Sequence, residues 1–159
     1  MKREDVRRML RRWAKAEDEI DALLEQVKAI VDEIDAQGDI GAQNLDGMPH
    51  GTTTGRPTEA GALKRITLGE RYRERLDHLR ERIGELEALR DRIECSFIWL
   101  SADEERVIRL KYRGHLGKGE SNPKTYQQVG VEMGYTDRRI KQIEAAAMDI
   151  IADWLENNE

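Results

Sequence analysis

Between residues 3 and 36 the chain has neither glycine nor proline, and its apolar residues recur at three- and four-residue intervals. Leu10, Trp13, Ile20, Leu24, Val27, Val31 and Ile34 form one stripe, widened by Leu23 and Ile30 and interrupted where Glu17 takes an apolar place. That period suits an amphipathic helix and excludes a strand, whose faces alternate every second residue. At 1.5 Å per residue such a helix is roughly 50 Å long, with coiled-coil spacing. A second stretch, 62–99, repeats the pattern with Tyr72, Leu76, Leu79, Ile83, Leu86, Leu89, Ile93 and Phe97.

Residues 38–61 lie between them and hold six of the 13 glycines and two of the three prolines. The centre, Asp46-Gly47-Met48-Pro49-His50-Gly51-Thr52-Thr53-Thr54-Gly55, has no preceding strand and no following Gly-Lys-Ser/Thr, so a flexible connector is expected here in place of a phosphate loop. A connector of that length lets the helices fold back antiparallel. Residues 1–99 are therefore expected to be a coiled-coil hairpin. A two-helix hairpin buries little, which favours a homo-oligomer formed through the coiled coil.

Composition narrows the function classes. Of 159 residues, 37% are charged and only 5% aromatic, which suits solvated helices around a thin core better than a β-sandwich or a large enzyme interior. A single cysteine forms no intramolecular disulfide and fits a reducing cytoplasm, and Cys95, with apolar flanks, is expected to pack as a small hydrophobe. No apolar run reaches the ~18 residues of a membrane span. His50, His78 and His115 stand in three separate segments without metal-ligand spacing. No catalytic residue, metal or cofactor is expected, and the chain is not read as an enzyme.

The net charge of −5 is unevenly spread. Residues 2–15 hold seven bases (Lys2, Arg3, Arg7, Arg8, Arg11, Arg12, Lys15) and two acids, whereas 17–35 hold eight acids and one lysine. The basic end is either a solvated face or a contact for phosphate or an acidic partner.

The last third is the most specific. Ser101 and Glu104 have capping-box spacing at a helix start, and Val107, Ile108, Leu110 and Tyr112 supply its buried side. Arg106, Arg109, Lys111 and Arg113 add four bases. The Gly-rich loop beyond, Gly114-His115-Leu116-Gly117-Lys118-Gly119, lacks both the leading strand and the hydroxyl of a nucleotide loop.

From Thr125 to Glu144 the pattern is that of a helix-turn-helix. Gly130 is small where the second helix crosses the first, and Gly134 stands at the turn, where a left-handed backbone is needed. Val129, Met133, Tyr135, Ile140 and Ile143 are apolar at the core-facing offsets, and Thr136 is placed to cap the second helix. With Ile140, Ile143 and Ala147 inward, Arg138, Lys141, Gln142 and Ala145 share the outward face. Arg and Lys donate to guanine, Gln pairs with adenine, and an alanine methyl meets that of thymine. Arg139, to the side, suits a phosphate, as do Thr136, Arg113 and Lys124. Past Ala147 the helix becomes acidic, and Ile150, Ile151, Trp154 and Leu155 should pack inward or against a partner.

Residues 100–151 resemble region four of primary bacterial sigma factors. The shared residues are Leu100…Glu104-Glu105-Arg106-Val107-Ile108-Arg109-Leu110-Lys111-Tyr112, then Tyr126-Gln127-Gln128-Val129-Gly130, Met133-Gly134-Tyr135-Thr136, and Arg139-Ile140-Lys141-Gln142-Ile143-Glu144…Ala147. With the N-terminal helix and Met48-Pro49-His50-Gly51, the chain also resembles phage late-gene regulators of the ArpU/RinA type. These resemblances imply an all-α protein with a DNA-binding domain at 100–159, acting in the cytoplasm or nucleoid of a bacterial host. They imply a sequence-specific double-stranded DNA-binding activator that works with host RNA polymerase. The recognition helix opens Asp137-Arg138-Arg139 where sigma factors commonly carry Arg-Glu-Arg, so a different DNA sequence is expected. Nothing in 1–99 resembles a promoter-melting region. Two other classes fit parts of the sequence: a phage terminase small subunit, which joins a helix-turn-helix to an oligomerising coiled coil, and a coiled-coil adaptor that binds no DNA.

Overall fold

The computed structural model describes residues 1–42, 59–117 and 119–158 of the chain. These residues are all-α: helix α1 spans Arg3–Ala42, α2 Glu59–Phe97, α3 Ala102–Tyr112, α4 Tyr126–Met133 and α5 Asp137–Asn157. Two of the helices run further than their periodicity. α1 continues through Gly38 and Gly41, and α2 begins three residues before the expected start, so both reach into the segment expected to be a connector. The rest of that segment, with Met48-Pro49-His50-Gly51, lies outside the described residues.

α2 ends at Phe97, two residues short of the expected boundary. The cause is local. Ser101 adopts an extended backbone (φ −69°, ψ 160°) and forms a reciprocal capping box with Glu104 at the start of α3. A tight turn joins the two helices, in which Leu100 N–H donates to Phe97 O at 3.0 Å. It leaves Ile98 and Trp99 80% and 67% exposed.

The chain forms two compact units, one of Met1–Ile20 with Glu85–Glu159 and one of Asp21–Gly84. The expected division at 99/100 therefore falls inside the first unit. The reason is packing. Val6, Leu10 and Trp13 of α1 and Ile93 and Phe97 of α2 share one core with Ile108 and Tyr112 of α3 and with Ala147, Met148, Ile151 and Leu155 of α5. Trp13 meets Phe97 edge-on, with ring centroids 5.1 Å apart. Burial of such side chains contributes about 1.5–3 kcal/mol each, so three from α1 are a large share of a small domain's stability. The acidic end of α5 packs inward through Ile151 and Leu155, with Ile150 and Trp154 half-buried. A smaller core of Val107, Leu110, Val129, Ile140 and Ile143 lies beneath α4 and α5.

In the second unit Leu79 and Ile83 are buried, whereas Leu24, Val31 and Ile34 of the α1 stripe remain exposed. Cys95, expected to be packed, is exposed: its neighbours Ser96 and Phe97 take the inward positions. No helix of the described residues is long and apolar enough to cross a membrane.

Candidate nucleic-acid interface

α4 begins at Thr125, whose Oγ1 accepts the Gln128 N–H at 3.3 Å while Thr125 N–H donates to Gln128 Oε1 at 2.8 Å. This second capping box has the sequence signature Thr-x-x-Gln. α4 ends at Gly134, which is left-handed (φ +72°, ψ 27°). Its N–H and that of Tyr135 both reach Gly130 O, the latter at 2.9 Å. Gly130 is buried because the turn folds back over it, and a Cβ there would stand 2.6 Å from the Tyr135 carbonyl oxygen. Its smallness thus accommodates the turn backbone first and then the start of the crossing helix, where Asp137 Oδ1 would lie 3.7 Å from that Cβ. Thr136 then caps α5, its Oγ1 accepting the Arg139 N–H at 3.4 Å.

Val129, Ile140 and Ile143 are buried in the small core and Met133 packs against it, as their spacing requires. Tyr135 departs from the expectation. It is 39% exposed, and its hydroxyl donates to Asp103 Oδ2 at 2.9 Å, linking the turn to the start of α3. A phenol can leave the core this way because its polar end gains a charged partner.

On the outer face of α5, Arg138, Arg139, Lys141 and Gln142 are exposed and Ala145 is half-buried. Among the described residues neither Arg138 nor Lys141 enters an ion pair. The Lys141 ammonium stands 5.1 Å from the centre of the Tyr126 ring, which the Lys111 ammonium also approaches, at 4.3 Å. Tyr126 therefore carries two cations, one from α3 and one from α5.

Two of the expected phosphate contacts are engaged elsewhere. Arg113 is buried, not presented to solvent. Its guanidinium pairs with Glu17, lies 3.9 Å from Glu94 and stacks 5.2 Å from the Trp13 ring centroid. Burial lowers its pKa from the ordinary arginine value, and its Nε has no hydrogen-bond partner. Lys124 is half-buried, with its ammonium 2.5 Å from Glu132. Of the other bases on α3, Arg109 pairs with Glu105 and lies over Phe97 at 5.1 Å. Arg106 alone of the four is exposed. The other three of these four bases are thus turned onto aromatic rings and carboxylates.

Glu144 is a further residue that the sequence pattern does not single out. It is 3% exposed, and its two oxygens accept the hydroxyls of Tyr112 at 2.9 Å and Tyr126 at 2.8 Å. Both phenols hold their protons above the ordinary pKa, chiefly through burial and then through Glu144. The contact joins α3, α4 and α5 around one carboxylate. Its signal was a Glu beside Ile143 and one turn from Ile140, a charge close to the inward face. Nothing in the spacing named the tyrosines as partners.

The geometry is therefore a capped two-helix unit, fixed from behind by two cores and a buried Glu–Tyr cluster, with exposed donors in front. No curated protein and no solved structure matches the chain. Residues 99–151 match the family model for Sigma-70, region 4, a DNA-binding helix-turn-helix family, and this third of the chain is a sigma-region-four-like domain.

Proposed function

We propose that the chain is a sequence-specific, double-stranded DNA-binding transcription regulator whose α5 enters the major groove. The observation that carries this reading is the outer face of α5, where Arg138, Lys141 and Gln142 are exposed directly behind the Thr136 cap. They suit base edges, Ala145 adds a methyl at the margin of the same face, and Arg139 with the Thr136 hydroxyl suits phosphate. Arg113 and Lys124 are not part of this proposal, because their charges are already taken up.

The finer parts of the reading rest on other features. Leu24, Val31 and Ile34 leave an apolar stripe that a second copy would cover, and the resulting oligomer would set half-site spacing. The resemblance to phage late-gene regulators supports an activator that acts with host RNA polymerase in the bacterial cytoplasm. No metal or cofactor is part of the proposal.

Selection from a random duplex library tests it. The protein should enrich one motif, and Arg138→Ala or Gln142→Ala should each weaken binding to that motif by roughly 1–3 kcal/mol and relax preference at particular positions. A library that returns no motif and no salt-dependent binding would overturn the DNA reading. Transcript raised from a template bearing the motif separates a regulator from a packaging protein.

A further inference from the structure

The basic segment at the start of α1 does not point into empty solvent. Arg8, Arg11, Arg12 and Lys15 recur at the spacing of one helix face and form one wall of a cleft of about 720 Å³. Lys111 of α3 and Tyr126 at the start of α4 form the facing wall, and Glu144, occupied by its two tyrosine hydroxyls, lies among the lining residues. Arg8 is tied to Asp5 at 3.0 Å. Among the described residues Arg11, Arg12 and Lys15 enter no ion pair, and all three are exposed.

This concentration of charge works against the helix that bears it. Like charges three and four residues apart on one helix repel by a few tenths of a kcal/mol per pair. Glu4 and Asp5 offset part of this through Arg7 and Arg8, and Glu19 lines the cleft one turn beyond Lys15, but among the described residues Arg11, Arg12 and Lys15 have no ion-pair compensation. An anion in the cleft supplies it.

The cleft's position identifies the anion. Tyr126 lines the cleft and carries Lys111 there, and the same ring is approached by Lys141 from the recognition face. The cleft and the DNA-reading face of α5 therefore meet at one side chain. Arg8 to Arg12, and Arg11 to Lys15, step roughly 6 Å along α1, which suits a row of anions better than a single compact one.

We infer that this cleft seats the sugar-phosphate backbone of the bound duplex, so that the first turns of α1 belong to the DNA interface. The inference rests on the DNA-binding reading above. In it, α5 selects the sequence while α1 grips the backbone flanking the groove, independently of sequence.

The test compares the full-length protein with its Arg11→Gln/Arg12→Gln/Lys15→Gln variant and with Lys28→Gln as a charge control. Affinity is measured for the selected duplex and for an unrelated duplex of equal length, from about 50 to 200 mM salt. The slope of log K against log salt should become shallower by roughly 2–3 in the triple variant, because each phosphate contact contributes about 0.9. Affinity should fall for both duplexes with the preferred motif unchanged, and Lys28→Gln should leave the slope as it was. Hydroxyl-radical protection of the flanking backbone should be lost in the triple variant alone. An unchanged slope and footprint, while Arg138→Ala still weakens binding, would overturn the cleft assignment and leave the DNA reading intact. An acidic peptide would then be the better candidate for the cleft. Failure of the unaltered protein to bind either duplex would overturn both.

Discussion

Glu17, the charge that interrupts the apolar stripe of α1, pairs with the guanidinium of Arg113 at the end of α3. Arg113 is buried, and Glu94 of α2 approaches it at 3.9 Å from another helix. One residue further on, Asp18 accepts the backbone N–H of Ser121 at 3.1 Å, so α1 also holds the loop between α3 and α4. The first 20 residues are in this sense part of the helix-turn-helix body and not a leader to it.

Arg113→Ala should therefore act on stability and not on DNA affinity per charge. Removing one member of a pair with a buried component costs about 3 kcal/mol, the low end of the range because Glu17 and Glu94 keep some contact with water. Urea unfolding measures it. The salt slope of DNA binding should stay unchanged under conditions where the variant is folded, which separates this role from a phosphate contact. Replacing the pair by Arg113→Met with Glu17→Leu should recover most of the loss, since no buried charge is then stranded.

Trp13→Ala should cost roughly 3–5 kcal/mol, as a fully buried aromatic at the meeting point of α1, α2 and α3. That is a large share of the stability of a small domain. Thermal unfolding followed by helical circular dichroism should show the C-terminal helices melting at the lower temperature too. A variant in which 85–159 kept its original midpoint would contradict a shared core.

Much of this was legible in the residues themselves. The stripes gave both long helices, and Ser101, Gly134 and Thr136 gave three of the boundaries, because caps and left-handed turns are set by a few adjacent side chains. The outward face of α5 followed from Ile140 and Ile143 by geometry alone. What the pattern could not give was long-range pairing. Arg113 reads as a surface base until Glu17, Glu94 and Trp13 close around it, and Tyr135 reads as core until Asp103 offers its hydroxyl a partner. The change in sequence character at 99/100 likewise coincides with no break in packing, because α1 and α2 share a core with α3 and α5.

Gly130→Ala and Gly134→Ala should differ in a way that separates space from backbone conformation. At Gly134 a Cβ meets nothing within 4 Å, so the cost is that of a left-handed alanine, about 1–2 kcal/mol. At Gly130 the backbone is helical but a Cβ would stand 2.6 Å from the Tyr135 carbonyl oxygen, which has no room to retreat without moving the turn. Gly130→Ala should therefore destabilise more in urea unfolding and displace α5 relative to α4. Selectivity among DNA sequences should suffer with it, whereas folded Gly134→Ala should keep the motif.

The Tyr112–Glu144–Tyr126 cluster makes stability depend on pH at the alkaline end. Burial first, and then the neighbouring Glu144 carboxylate, raise the Tyr112 pKa above the ordinary value of 10.0, and Tyr126 is raised for the same reasons. The unfolded chain releases these protons near the ordinary value while the folded chain holds them to higher pH. Their contribution is thus complete below about pH 10 and is lost as pH rises above it. One such proton steepens the decline by at most about 1.4 kcal/mol per pH unit. Unfolding free energies measured between about pH 8 and pH 11.5 should fall less steeply above pH 10 for Tyr112→Phe than for the unaltered protein. At neutral pH the same variant should be less stable by about 1–3 kcal/mol, because Glu144 loses one of its two donors while remaining buried. Parallel curves above pH 10 would mean that the Tyr112 proton is not held by the fold.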